Sequence, residues 1–146
     1  EEFEFRLDEL KRLVKEMGLT GIKVISPDYD NNEFENIAYG LENLPEGGTR
    51  CNKCYNLRLE KTAQYARYNN FDYFTTTLSI SPLKNAQKIN EIGEKVGQEY
   101  NVKHLPSDFK KKNGYKRSIE LSAEYDLYRQ NYCGCVYSKL EREKIN

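Results

Sequence analysis

The chain has 146 residues, with 23 Lys and Arg against 23 Asp and Glu, one His, four Cys and no Trp. This length allows one domain with a modest core, and the zero net charge leaves any attraction for nucleic acid to a local patch. No run of about 18 apolar residues occurs, which excludes a transmembrane helix, and no secretory signal is visible.

In chain order, Phe3, Leu7, Leu10, Val14 and Met17 recur at helical spacing, and Gly18 fits the end of that helix. With no initiator Met and a helix under way from Glu1, the sequence reads as N-terminally incomplete. Ile22 to Ile25 predicts a short strand, ended by Ser26-Pro27-Asp28. Asn32 to Leu44 predicts a helix, and Pro45-Glu46-Gly47-Gly48 a loop. Thr49 opens a helix running to about Tyr68. Phe71 to Ser79 is rich in aromatic and β-branched residues and predicts a buried strand. Ser81 as N-cap and Pro82 at the first helical position predict a helix ending near Tyr100. Val102 to Leu105 predicts a third strand. After the loop Ser107 to Arg117, Ser118 to Tyr128 reads as helical, and a charged helix closes the chain.

Helices alternating with short apolar strands indicate an α/β fold. The expectation is one domain over 1–146, with a Rossmann-like, mostly parallel sheet flanked by helices. Three strands are few for such a sheet, so a first strand is expected to be missing ahead of the opening helix.

The cysteines form two close pairs, Cys51-Asn52-Lys53-Cys54 and Cys133-Gly134-Cys135. In a long, charged chain this pattern points to a cytoplasmic protein and to metal or redox chemistry rather than a disulfide scaffold. Cys51 and Cys54 share one face of a first helical turn. Free N–H groups there, with Arg50 and Lys53 nearby, favour thiolates and so two ligands of an iron–sulfur cluster or of zinc. Two ordinary cysteines at a helix start would show the same spacing. Gly134 permits a sharp turn, so Cys133 and Cys135 could share a metal, close a strained and easily reduced disulfide, or sit on a turn by chance. All four could also make one closed zinc site.

Lys110, Lys111, Lys112, Lys116 and Arg117, with Tyr115 among them and Arg129 further on, form the one obvious basic patch. Lys and Arg could neutralise phosphates while Tyr stacks on an unpaired base; a solvated loop is the commoner fate of such a run. His104 stands far in sequence from every cysteine, which favours a packed or surface histidine over a catalytic one.

Three blocks together resemble the cobalamin-independent epoxyqueuosine reductases, the QueH family. The first is Gly47-Gly48-Thr49-Arg50-Cys51-Asn52-Lys53-Cys54-Tyr55 with Arg58 to Ala63. The second is Phe71 to Pro82 with Lys84-Asn85. The third joins Phe109-Lys110-Lys111, Gly114-Tyr115, Ser118 and Leu121-Ser122 to Tyr128-Arg129-Gln130-Asn131-Tyr132-Cys133-Gly134-Cys135. The resemblance implies removal of the epoxide oxygen of epoxyqueuosine at the wobble position of tRNA, a two-electron, two-proton reduction. It implies a [4Fe-4S] cluster with Cys51 and Cys54 as two ligands, and leaves open an additional mononuclear iron. Cys133 and Cys135 become a redox-active pair or ligands close to the cluster. Further ligands are implied on a Cys-Cys-x-Pro-Cys-like segment of the family that this sequence does not contain. The implied partners are epoxyqueuosine-bearing tRNA and an electron donor the sequence does not identify; no membrane is implied. A zinc-stapled RNA-binding module without catalysis, and a metal-free thiol–disulfide oxidoreductase, are the competing readings.

Overall fold

Tyr55, Leu59, Ala63 and Ala66 recur at helical spacing and are all buried. The computed structural model, which describes residues 1–28 and 30–145, builds its core on that stripe. In chain order the elements are α1 (Glu2–Glu16), α2 (Asn31–Ala38), α3 (Thr49–Tyr68), β1 (Tyr73–Phe74), α4 (Ala86–Tyr100), β2 (Lys103–His104), α5 (Gly114–Glu124) and α6 (Val136–Glu143). A short 3-10 turn covers Leu78–Ile80. The chain is mixed α/β and mostly helical, and the described strands form one two-stranded parallel sheet. It divides into two compact units, Glu1–Tyr29 with Lys116–Asn146, and Asp30–Tyr115.

The Asp30–Tyr115 unit holds the apolar core. The α3 stripe meets Ile89 and Val96 of α4, Phe74 of β1 and Val102. Full burial of side chains such as Leu59, Ile89 and Val96 contributes about 1.5–3 kcal/mol each. Tyr73 pairs with Lys103 and Phe74 with His104. α4 lies close enough to β2 that a Cβ at Gly97 would sit 2.6 Å from the Val102 carbonyl oxygen, and one at Gly93 would enter the His104 ring. Glycine at both positions allows that approach.

The Glu1–Tyr29 and Lys116–Asn146 unit is held differently. α1 and α5 bury no residue, and Ser138 is the one buried residue described there. Arg12 donates to the carbonyls of Tyr125 and Asp126 at 2.9 Å each and pairs with Glu9 at 3.0 Å. Glu9 in turn accepts the Tyr128 amide at 2.9 Å. The Arg12 hydrogen bond and this amide hold the Glu9 carboxyl below its ordinary pKa. Phe5 meets Tyr128 edge-on at 5.0 Å between centroids.

Several expected boundaries move. The helix predicted over Asn32 to Leu44 ends at Ala38: Tyr39 takes ψ 128°, Gly40 takes φ +75°, and the carbonyls of Leu41, Glu42 and Leu44 go to a buried guanidinium described below. Ile22 to Ile25 is irregular; no second strand pairs with it among the described residues, and an unpaired strand is not stable in water. The strand predicted over Phe71 to Ser79 stops at Phe74. There Thr75 Oγ1 donates to the Leu105 carbonyl at 2.7 Å, and Thr76 Oγ1 accepts the Leu78 amide at 3.2 Å. Threonine hydroxyls thus satisfy backbone groups that a ladder would otherwise use. α4 starts at Ala86, not Ser81: Asn85 caps it, accepting the Lys88 amide at 3.0 Å, while Ser81 Oγ accepts the Leu83 amide in a tight turn. The predicted third strand shortens to β2. The basic loop ends at Asn113, so Tyr115, Lys116 and Arg117 lie on α5. A Cβ at Gly114 would run into the Phe109 carbonyl oxygen, so only glycine begins that helix.

Candidate functional site

The first turn of α3 carries Cys51 and Cys54, both half-buried thiols. Cys51 packs against the core cluster. Its Sγ accepts the Gly47 amide at 3.2 Å. Gly47 has φ +86°, a conformation that favours glycine, and this lets the loop place its N–H on the sulfur. The first turn of α3 holds no acidic residue, so its free N–H groups and partial positive charge are left for the thiols. Arg50, expected as added charge beside the pair, is 1% exposed. Its Nη1 donates to the carbonyls of Leu41 at 3.2 Å, Glu42 at 2.9 Å and Leu44 at 2.6 Å. Lys84 is buried as well, 3.8 Å from Glu46 and 5.4 Å from the centroid of the Tyr55 ring.

The second pair belongs to the other unit, and both its cysteines are half-buried thiols too. Gly134 has φ +119°, which makes the expected sharp turn. Cys135 is the N-cap of α6, and its Sγ accepts the Ser138 amide at 3.4 Å. The Cys133 amide donates to Ser138 Oγ at 2.9 Å. Arg6 lies across the turn: it donates to the carbonyls of Cys133 at 3.3 Å and Tyr132 at 3.5 Å, and its guanidinium stands 5.1 Å from the Tyr132 ring centroid. A Cβ at Gly134 would come within 3.0 Å of Arg6 Nη1.

Among the basic residues, Lys110 is tied down: its Nζ lies 3.0 Å from Asp108 Oδ1 and donates to the Ser79 carbonyl at 3.1 Å. The Lys110 hydrogen bond and the charges of Lys110 and Lys111 hold the Asp108 carboxyl below its ordinary pKa. Lys111, Lys112, Lys116 and Arg117 are exposed, with Arg117 near Glu120 and Glu124. Tyr115 is 37% exposed. Arg129 donates to Ser122 Oγ at 2.9 Å.

His104 is packed, as expected. It is 7% exposed, its ring centroid lies 5.2 Å from that of Phe74 with the planes tilted by 55°, and neither ring nitrogen has a hydrogen-bond partner among the described residues. Burial pushes its pKa down, with the Glu94 charge opposing. Sequence reasoning missed Arg6, Ser138 and the Gly47 amide. Ser138, three residues past Cys135, carried a local signal. Arg6 carried none, being 127 residues from its Cys133 partner.

The cluster implied by sequence can be tested against these donors. Two thiols on one helical turn, with a backbone N–H on one sulfur, suit thiolate ligands. They account for two positions; among the described residues no three His, Cys, Asp or Glu side chains gather into a metal site. No helix of the described residues is long and apolar enough to cross a membrane.

With that geometry in place, the comparisons define the class. The family model described as Epoxyqueuosine reductase QueH matches residues 1–141, a span containing both cysteine pairs. The chain belongs to that family. Proteins named Epoxyqueuosine reductase QueH are similar to it in several bacteria. The one from Streptococcus pyogenes serotype M1 is 54% identical over 117 residues, 80% of this chain and 46% of that protein. The Haemophilus influenzae protein is 38% identical over 98% of this chain and 58% of its own length. The Dehalococcoides mccartyi protein is 34% identical over 97% of this chain and 72% of its own. The chain spans about half the length of most curated relatives it matches.

Proposed function

We propose that the protein is an epoxyqueuosine reductase, an iron–sulfur oxidoreductase of the cytoplasm that completes queuosine in tRNA. The reaction takes two electrons and two protons, breaks both epoxide C–O bonds, and leaves an alkene and water. Cys51 and Cys54 would hold a [4Fe-4S] cluster. When bound, such a cluster supplies electrons at low potential. The α3 N-terminus and the Gly47 amide stabilise the negative charge of the thiolates. Cys133 and Cys135 form the redox pair: oxidation of the dithiol to a disulfide yields the two electrons and two protons the reaction requires. An external electron donor then restores the dithiol. Lys111, Lys112, Lys116, Arg117 and Arg129, with Lys110 as an anchor, hold anticodon-loop phosphates, and Tyr115 stacks on an unpaired base. We take the whole chain as one Rossmann-like α/β domain.

The observation that carries this reading is the sulfur-directed Gly47 amide at the start of α3, in a chain whose family match spans both cysteine pairs. The test is turnover of epoxyqueuosine-bearing tRNA by the protein as its host makes it, purified without oxygen. Cys51→Ser and Cys133→Ser should each abolish queuosine formation. Turnover retained in either variant would exclude the corresponding role.

A further inference from the structure

Two buried cations contact the segment that precedes Cys51. Arg50 is 1% exposed and grips the turn before the loop through the carbonyls of Leu41, Glu42 and Leu44. Lys84 is 8% exposed and stands 3.8 Å from Glu46, the residue before Gly47. Burying a cation is costly unless its charge is compensated, so both residues fix whatever compensates them. What they fix is one segment, 41–46, that runs directly into the Gly47 amide. That amide donates to Cys51 Sγ at 3.2 Å.

We propose that Arg50 and Lys84 are positioning residues for Cys51, clamping the 41–48 segment so that the Gly47 N–H stays on the Cys51 sulfur. Arg50 is suited to the first position because the nitrogen that meets all three carbonyls, Nη1, lies one bond further along the side chain than a lysine Nζ. Gly47 is suited to the second because its φ of +86° costs a residue with a Cβ more. Cys51 is tuned by a held N–H donor that belongs to the loop, and hydrogen bonds of this kind set the electronic properties of metal-bound thiolates. The inference deepens the cluster reading and rests on Cys51 being a ligand, but its test needs neither metal nor substrate.

The test is made on the reduced, metal-free chain. Arg50→Lys and Lys84→Met should speed hydrogen exchange of the Gly47 amide by about tenfold, the size expected when a local opening is eased by about 1.4 kcal/mol. With that N–H withdrawn the reactive thiolate is less stabilised, so iodoacetamide at neutral pH should alkylate Cys51 several-fold more slowly, with Cys54 unchanged. Lys84→Arg, which keeps a cation facing Glu46, should restore the slow exchange. Should Arg50→Lys fail to fold, Glu46→Gln weakens the same clamp without touching a buried cation and should shift Gly47 and Cys51 in the same direction. Unchanged Gly47 exchange in the folded variants, or an equal change of alkylation rate at Cys51 and Cys54, would overturn the proposal. Iron missing from the protein, with the clamp effects present, would instead count against the proposed function alone.

Discussion

The two cysteine turns are built by opposite means. Cys51 is fixed by its own neighbourhood: Gly47 lies four residues before it, and the Arg50 acceptors lie six to nine residues before Arg50. Behind it stands an apolar core centred on Leu59, Ile89 and Val96. Among the described residues the Cys133-Gly134-Cys135 turn has no such core. It is held by Arg6 across 127 residues of chain and by Ser138 beneath it. One turn is set by local sequence and apolar burial, the other by a long-range polar strap. A strap of part-buried hydrogen bonds opens more easily than a packed core, as the proposed redox role of Cys133 and Cys135 would require.

Removing the core should have the largest effect. Leu59 is 1% exposed, and Leu59→Ala is expected to destabilise the chain by about 2–5 kcal/mol in urea unfolding, from lost transfer energy and the cavity left behind. A loss below about 1 kcal/mol would show that α3 is not the organising element. Breaking the strap should do less. Arg6→Met forfeits the donations to Cys133 and Tyr132, so opening of the turn should ease by about 1 kcal/mol, read as faster alkylation of Cys133 and Cys135 with little change in the global midpoint. An equal drop in global stability would mean that the strap and the core are one cooperative structure.

The smallest effect is a pH dependence confined to the core side. His104 has its pKa depressed by burial, so the folded chain refuses a proton that the unfolded chain accepts below about pH 6.5. The unfolded state then binds more protons, and stability falls as pH drops from about 6.5 toward the folded pKa, while above that window the contribution is constant. His104→Phe should remove this slope and cost little, since neither ring nitrogen has a described partner to lose. Urea midpoints measured between pH 7 and pH 5 would decide it; the same slope in the variant would assign the effect to carboxylates.

What the sequence made legible follows the same division. α3 and the packed face of α4 were readable because apolar spacing and local turn chemistry act within a few residues. The Cys-x-x-Cys face and the Gly134 turn were readable for that reason too. The extra strand at Ile22 to Ile25 was overread: β-propensity describes a residue's fit to a sheet, and a sheet needs a partner the spacing does not supply. The start of α4 was misplaced because Ser81-Pro82 and Asn85 are both good capping signals, and only packing selects between them. Arg50 was readable as positive charge beside the thiols, but its burial and its hold on the carbonyls of Leu41, Glu42 and Leu44 were not. Nothing in the local sequence of Arg6 pointed to Cys133.

The central claim is that Cys51 and Cys54 serve a cluster rather than a staple. It is tested most directly by anaerobic iron and acid-labile sulfide analysis of the protein as its host makes it, beside Cys51→Ser. The account predicts iron with sulfide in the parent and loss of both in the variant. Zinc without sulfide, or iron retained in full by Cys51→Ser, would contradict it.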